Sequence, residues 1–258
     1  MAKKLYEESN IQAIADAIRS KNGTTDTYKV SEMAGAIEAI EGGGEDPRVK
    51  GLIERTITEI SDDNVESVGD YGLYNYDSLL SVNLPNVTSF GNYALFDCDN
   101  LVALNAPKLE TMGNDALRWC EKLTSVYFPV LKAIPQYGLY YCTKLKSAYM
   151  PSVELLGLGA CGVCINMRRF EFQSVKSIGT SAFLDCRRLT TLIIGTANCV
   201  LESTNAFSQT PIDGYTDYTN GEKGYIYVPD EAVETYKAAT NWSTYASQIK
   251  GISELPQE

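Results

Sequence analysis

A period of 22 residues runs through the middle of this chain without a slip. Five cysteines fall on it: Cys98, Cys120, Cys142, Cys164 and Cys186. Four prolines keep the same spacing: Pro85, Pro107, Pro129 and Pro151. Five glycines share it as well: Gly69, Gly91, Gly113, Gly157 and Gly179. Because three chemically different residue types repeat together, this region must be built from copies of one structural unit.

Within each unit, apolar residues follow one another at intervals of three and then two positions. The unit that begins at Leu123 shows this spacing, since Val126 and Phe128 come after it. The spacing predicts a short strand whose alternate side chains enter a core, and the proline and glycine beyond it predict a turn. A single unit cannot bury its apolar side, so the units are expected to stack. Seven strands are predicted, beginning near Ile57, Leu79, Leu101, Leu123, Leu145, Met167 and Leu189.

The unit from Val175 to Leu189, which contains Ile178-Gly179, Ala182-Phe183 and Cys186, resembles the BspA-type leucine-rich repeat. Repeats of this type are found in bacterial surface proteins and in phage proteins, and the resemblance covers roughly residues 56–210. It implies an α/β, β-rich solenoid of about seven rungs, with a short parallel sheet. It indicates the fold far more than the function.

Four segments are predicted along the chain: a helical hairpin at 1–41, a glycine-rich linker at 42–47, the solenoid at 48–212 and an α/β cap at 213–258. In the cap, a strand is expected from Gly224 to Val228, then a helix from Pro229 to about Ala239, and a helical turn from Trp242 to Ile249. This closing segment also looks like that of BspA-type proteins.

The predicted hairpin has too few large apolar side chains to form a core of its own. Its apolar positions are Ile11, Ile14, Ile18, Met33, Ile37 and Ile40. We therefore expect it to attach to another copy of the chain, which makes a homo-oligomer, or to a different protein. The stretch from Ile11 to Ala34 is similar to an N-terminal module of phage tail and baseplate-associated proteins. A generic amphipathic hairpin is the alternative interpretation.

Composition restricts the chemistry that this chain can perform. The net charge is −11, so nucleic acid and anionic membranes are not expected as partners. The chain has no histidine, which removes the commonest general base and the commonest metal ligand. No catalytic residues, no metal and no cofactor are predicted. Two distant carboxylates that meet in a groove, as in glycosidases, remain the one enzymatic alternative.

The five cysteines of the period are expected to form a column of small apolar thiols that faces the core. Five thiols in a column cannot all pair as disulfides, and a linear column offers no tetrahedral shell to a metal. We refer to Cys98, Cys120, Cys142, Cys164 and Cys186 as the cysteine ladder.

The residues between the core positions of each strand are predicted to point outward and to form a strand face. On this face Tyr127 and Tyr149 are expected to be stacked neighbours, with Arg169 and Glu171 on the next rung and Asn105 two rungs before Tyr149. Tyrosine and arginine give large contact area with few rotors, which suits recognition of a protein or a cell-surface glycan. The alternative is that tyrosine only fills strand surfaces because of its β propensity.

These patterns predict a non-enzymatic binding protein. We expect a phage virion component of the tail or fibre type, because Met1 to Ser9 has no signal-peptide pattern and a virion protein leaves the cell by lysis. Such a protein would be made in the host cytoplasm and attached to virion subunits through residues 1–41. Two alternatives stay open: a bacterial cell-surface adhesin, and a structural or decoration protein of a virion without a receptor role.

Overall fold

The structure, a computed structural model, describes residues 55–257. The hairpin predicted at 1–41, its six apolar positions and the linker at 42–47 lie outside the described residues.

Each unit contributes one short strand to a parallel ladder, and we call these the face strands. They are Glu59–Ser61, Ser81–Asn83, Ala103–Asn105, Ser125–Tyr127, Ser147–Tyr149, Arg169–Phe172 and Thr191–Ile194. Paired residues lie one unit apart, as Val82 pairs with Leu104 and Phe170 with Leu192. Each rung therefore contacts its two neighbours along the solenoid. The predicted β-rich leucine-rich-repeat solenoid is confirmed.

Every unit also contributes a second, two-residue strand to the other side of the solenoid. These rear strands are Ser67–Val68, Ser89–Phe90, Thr111–Met112, Ala133–Ile134, Leu155–Leu156, Ser177–Ile178 and Val200–Leu201. The sequence predicts one strand per unit, so this ladder was missed. A strand of two residues is too short to show alternation of apolar and polar positions, and only its single buried residue, such as Phe90 or Ile134, marks it.

The C-terminal segment extends the face ladder instead of only covering it. Tyr225–Val228 pairs in parallel with Thr191–Ile194, and Ile249–Gly251 pairs with Tyr225–Val228. Between them lies the helix Val233–Ala238. Short 3-10 turns occur at Thr204–Phe207, Pro211–Asp213, Asp230–Ala232, Trp242–Tyr245 and Ile252–Glu254. The helical turn predicted from Trp242 to Ile249 is therefore wrong at its end, because Ile249 belongs to a strand.

Aromatic side chains join this segment to the last rung. The Trp242 indole N–H donates to the Cys199 carbonyl oxygen at 2.7 Å, and the Tyr236 hydroxyl donates to the Thr196 carbonyl oxygen at 2.9 Å. Both side chains are almost completely buried. Buried Trp and Tyr normally need such partners for their polar atoms, so these two bonds fix the segment in one position.

The cysteine ladder lies inside the core, where all five side chains are fully buried. Each sulfur lies near the carbonyl oxygen of the residue 25 positions earlier; for Cys120 the S–O distance to Leu95 is 3.2 Å, and for Cys142 the distance to Leu117 is 3.3 Å. Cysteine is a small apolar residue that can also donate a weak hydrogen bond. The thiols thus fill the space between rungs and satisfy buried carbonyl groups, and all seven cysteines are free.

The glycines of the period lie where consecutive rungs come closest together. A Cβ atom at Gly113 would lie 2.4 Å from the carbonyl carbon of Gly91 and 2.4 Å from the backbone nitrogen of Asn92. Backbone atoms cannot move aside as a flexible side chain can, so a methyl group here must push two rungs apart.

We expect Gly113→Ala to lower the free energy of unfolding by about 3 kcal/mol, because the added methyl overpacks the contact between rungs. Gly214→Ala is the matched control. Gly214 has a φ of +88°, and a Cβ atom added there would meet no other atom within 4 Å, so only backbone strain of about 1 kcal/mol is added. Urea unfolding of the two variants compares these costs. Equal losses in both would contradict the close approach of the rungs.

Candidate functional site

The ladder of face strands is interrupted at two places. Its hydrogen-bonded pairing stops after Ala103–Asn105 and again after Ser147–Tyr149, and it resumes at Arg169–Phe172. At the second interruption a groove of about 440 Å³ opens between the two strands. Its walls include Tyr149 on one side and Arg169 and Glu171 on the other. We call it the strand groove.

One wall of the strand groove is aromatic. The Tyr149 ring stacks on the Tyr127 ring of the preceding rung, with centroids 5.1 Å apart and planes 11° from parallel. The Tyr127 and Tyr149 residues are 54% and 53% exposed. Because Tyr127 covers one face of the Tyr149 ring, the opposite face is turned toward the groove and the next rung.

The opposite wall is charged and held in place by its own contacts. Arg169 Nη2 lies 2.9 Å from Glu171 Oε2, and the Gln173 side-chain amide donates to Glu171 Oε1 at 2.6 Å. Both carboxylate oxygens are thus engaged. Among the described residues that line the groove, Glu171 is the only carboxylic acid, so this groove does not assemble the pair of carboxylates that glycosidases use.

The structure brings four of the predicted face residues together: Tyr127, Tyr149, Arg169 and Glu171 lie on three consecutive rungs at the strand groove. Asn105 lies outside it. Its side-chain amide donates to Asn83 Oδ1 at 2.7 Å, and the Asn83 amide donates to the Ser61 hydroxyl at 2.8 Å. Asn105 therefore belongs to a row of polar side chains on the first rungs.

The C-terminal strands continue the face with residues that the sequence reasoning did not include. Tyr225 and Tyr227 pair with Thr191 and Ile193, and Lys250 Nζ lies 3.7 Å from the centroid of the Tyr225 ring. The alternation Tyr225-Ile226-Tyr227-Val228 was the available signal. It predicts a strand with two outward tyrosines but does not show which sheet the strand joins.

A second group of aromatic rings lies in the turns of the first rungs. Tyr71 stacks on Tyr93 with centroids 4.9 Å apart, and farther along the Arg118 guanidinium lies 4.8 Å from the Trp119 ring centroid. Arg118 also pairs with Asp115 at 2.9 Å. These rings mostly contact one another or Arg118, so they pack the turns of neighbouring rungs together.

The described part of the chain offers no cluster of three or more His, Cys, Asp or Glu residues suited to a metal ion. Within residues 55–257 there is also no helix of the length and hydropathy that crossing a membrane requires.

Residues 66–190 match the model of the BspA type leucine rich repeat region in six copies. Residues 66–190 of the solenoid are therefore similar to BspA-type leucine-rich repeats. The match starts at the first rear strand and ends just before the last face strand of the repeat region, so the matched residues include all those that line the strand groove. No curated protein sequence matches the chain.

Three solved structures are similar to parts of this chain. A leucine-rich repeat protein of T. pallidum is 24% identical over 57% of this chain and 71% of its own, with a TM-score of 0.49. A leucine-rich cell surface protein of Faecalibacterium prausnitzii is 20% identical over 55% of this chain and 48% of its own, with a TM-score of 0.39. A leucine-rich repeat protein of Bacteroides ovatus is 16% identical over 76% and 66%, with a TM-score of 0.36.

Proposed function

We propose that this protein is a non-enzymatic binding protein that recognises a protein or a glycan on a cell surface through its strand face. The strand groove is the observation that carries this proposal. It combines the large flat surface of Tyr149 with the fixed charges of Arg169 and Glu171 in one concave site. Ligand sites usually show this combination of an apolar wall with a few placed polar groups.

Preorganisation favours binding over mere surface filling. The ring of Tyr149 is supported by Tyr127, and Glu171 holds Arg169 while Gln173 holds Glu171. A ligand would therefore immobilise few side chains, which lowers the entropic cost of association. The β propensity of tyrosine explains why tyrosine occurs on strands, but it does not explain a groove beside the exposed rings.

For the setting of this activity, we propose a phage virion component of the tail or fibre type that attaches through residues 1–41. The resemblance of the Ile11–Ala34 stretch to phage tail modules supports this. A bacterial cell-surface adhesin is the second candidate, because BspA-type repeats occur in bacterial surface proteins too. A virion decoration protein without a receptor role is the third. Residues 1–41 would contact other virion subunits, or their own copies in a homo-oligomer. The apolar side chains that would make this contact are Ile11, Ile14, Ile18, Met33, Ile37 and Ile40.

Fluorescently labelled full-length protein, incubated with intact cells of candidate host bacteria, tests the binding function. We expect saturable binding that an excess of unlabelled protein displaces, and a mass in light scattering that is a multiple of the chain mass. Capture of phage structural proteins without any cell binding would instead indicate a decoration protein. A monomeric mass would contradict a homo-oligomer formed through residues 1–41 and would leave a different subunit as the partner of this segment.

A further inference from the structure

Charge is distributed unevenly along the solenoid. Residues 101–188 contain eleven Lys and Arg residues against six Asp and Glu residues, although the whole chain has a net charge of −11. The rungs on either side have the opposite balance: residues 55–100 contain one basic and eight acidic residues, and residues 189–257 contain three basic and eight acidic residues. The strand groove, between residues 146 and 173, lies in the basic section.

The groove itself has the same sign of charge. Its lining includes Lys146, Arg169 and Glu171, which leaves a net charge of +1. Arg168 is adjacent, and its side chain is 58% exposed; its ion pair with Glu222 is long, at 3.4 Å, and both partners are solvated. Such a pair contributes little, so it does not cancel the local positive potential. An anionic group is therefore attracted to the groove more than to the acidic rungs on either side of the basic section.

The aromatic wall selects for a flat apolar face on the ligand. The face of the Tyr149 ring that Tyr127 does not cover is turned to the groove. The residues that line the groove also supply polar groups, such as the backbone and the hydroxyl group of Ser147. A sugar ring has an apolar face of C–H groups and a rim of hydroxyl groups, which matches one aromatic wall with polar surroundings. The volume of about 440 Å³ is in the range of small-ligand sites and holds about one or two sugar rings.

The acidic rungs on both sides restrict the length of an anionic ligand. Glu59 is the one acidic residue on the described face strands of these two sections, and their other acidic residues lie outside the face strands. A polyanion that extended along the face would therefore be repelled mainly by the summed negative potential of the rungs at both ends. A single negative charge on a short ligand avoids both regions. The charge pattern thus favours a short ligand with one negative charge over a long polyanion.

We propose that the strand groove binds one acidic sugar of a cell-surface glycan, with the sugar ring against Tyr149 and its carboxylate beside Lys146 and Arg169. This inference rests on the proposed binding function and names the ligand class for the same site. Glu171 and Gln173 are positioning residues here, because they hold the Arg169 guanidinium toward the groove.

Calorimetry on the full-length protein with two pairs of probes tests this inference: cellobiouronic acid against cellobiose, which differ by one carboxylate, and 3′-sialyllactose against lactose, which differ by one sialic acid residue. The two acidic probes separate a sialic acid from a uronic acid as the preferred sugar. We expect at least one of them to bind about tenfold more tightly than its neutral partner, and this preference to shrink as NaCl concentration rises. Tyr149→Ala is expected to weaken binding of that probe about tenfold.

Lys146→Gln is expected to remove most of the preference for the acidic probe. Its matched control is Lys132→Gln, which removes the same charge from the same basic section at an exposed position that does not line the groove. Equal affinity for acidic and neutral probes, or equal effects of the two lysine variants, overturns the acidic-sugar assignment. If neither acidic probe binds while cells are still captured, the assignment fails and the binding function stands. If neither probes nor cells bind, both fail.

Discussion

Between pH 8 and pH 10 this protein is expected to lose about 1 to 2 kcal/mol of unfolding free energy for each thiol of the cysteine ladder. Burial raises the pKa of Cys142 to about 12, and burial raises the pKa values of Cys120 and Cys186 well above their ordinary range. In the unfolded chain a thiol ionises near pH 8.5. The contribution of these thiols to the free energy of unfolding is therefore fully present below about pH 8. It is lost as the pH rises from there toward the pKa of the thiols in the folded protein.

Urea unfolding of the wild-type chain at pH 7, 8, 9 and 10, under reducing conditions, measures this loss. Cys142→Ala is expected to have a smaller loss between pH 8 and pH 10, by about 1 to 2 kcal/mol, because one ionising group is removed. Val153→Ala is the control, since Val153 is fully buried but does not ionise. It is expected to lower stability at every pH and to keep the wild-type dependence. The same pH dependence in all three proteins would mean that the ladder thiols ionise within the fold.

The double substitution Tyr127→Ala with Tyr149→Ala is expected to reduce capture of the cell-surface ligand by roughly 100-fold or more. Tyr149 lines the strand groove and Tyr127 supports its ring from behind, and aromatic side chains in a binding site are typical energetic hot spots. The melting temperature is expected to stay nearly unchanged, because both side chains are about half exposed and contact each other rather than the core.

The control for this variant is Tyr71→Ala with Tyr218→Ala, which removes two tyrosines that are 39% and 47% exposed and lie away from the strand groove. Its binding is expected to match that of the wild-type protein. An equal loss of binding in the control would indicate that the binding site does not lie on the strand face. A large drop in melting temperature in the Tyr127/Tyr149 variant would indicate that these rings stabilise the sheet.

The sequence predicts the repeated part of this fold well because every unit has the same contacts. The 22-residue period fixes the register, so the placement of the face strands follows from one unit such as Leu123, Val126 and Phe128. Beyond Ile194 the period ends: the next face strand begins at Tyr225 and the last at Ile249, at spacings that differ from 22. The sequence near Ile249 therefore predicts a helical turn, whereas tertiary contacts decide that Ile249–Gly251 pairs with Tyr225–Val228.

The sequence predicts which side chains belong to the candidate site, but it does not predict the groove between them. Alternation along each strand places Tyr127, Tyr149, Arg169 and Glu171 on one face, and the structure has them on consecutive rungs. The groove between them depends on the loss of ladder pairing after Ser147–Tyr149. No residue type marks a missing backbone hydrogen bond, so neither the groove nor the exclusion of Asn105 from it follows from the sequence.

The pairing of each rung with its immediate neighbours also determines how this molecule responds to mechanical force. If the N-terminal end is anchored and a cell-surface ligand is bound in the strand groove, a load along the solenoid axis acts on the rungs between these two points, and first on the outermost contact at the anchored end. Separating one rung releases 22 residues, or about 75 Å of extended chain, while the remaining rungs stay stacked. A tether of this kind lengthens in steps under load, so it can absorb a sudden pull without losing the inner rungs where the ligand is bound.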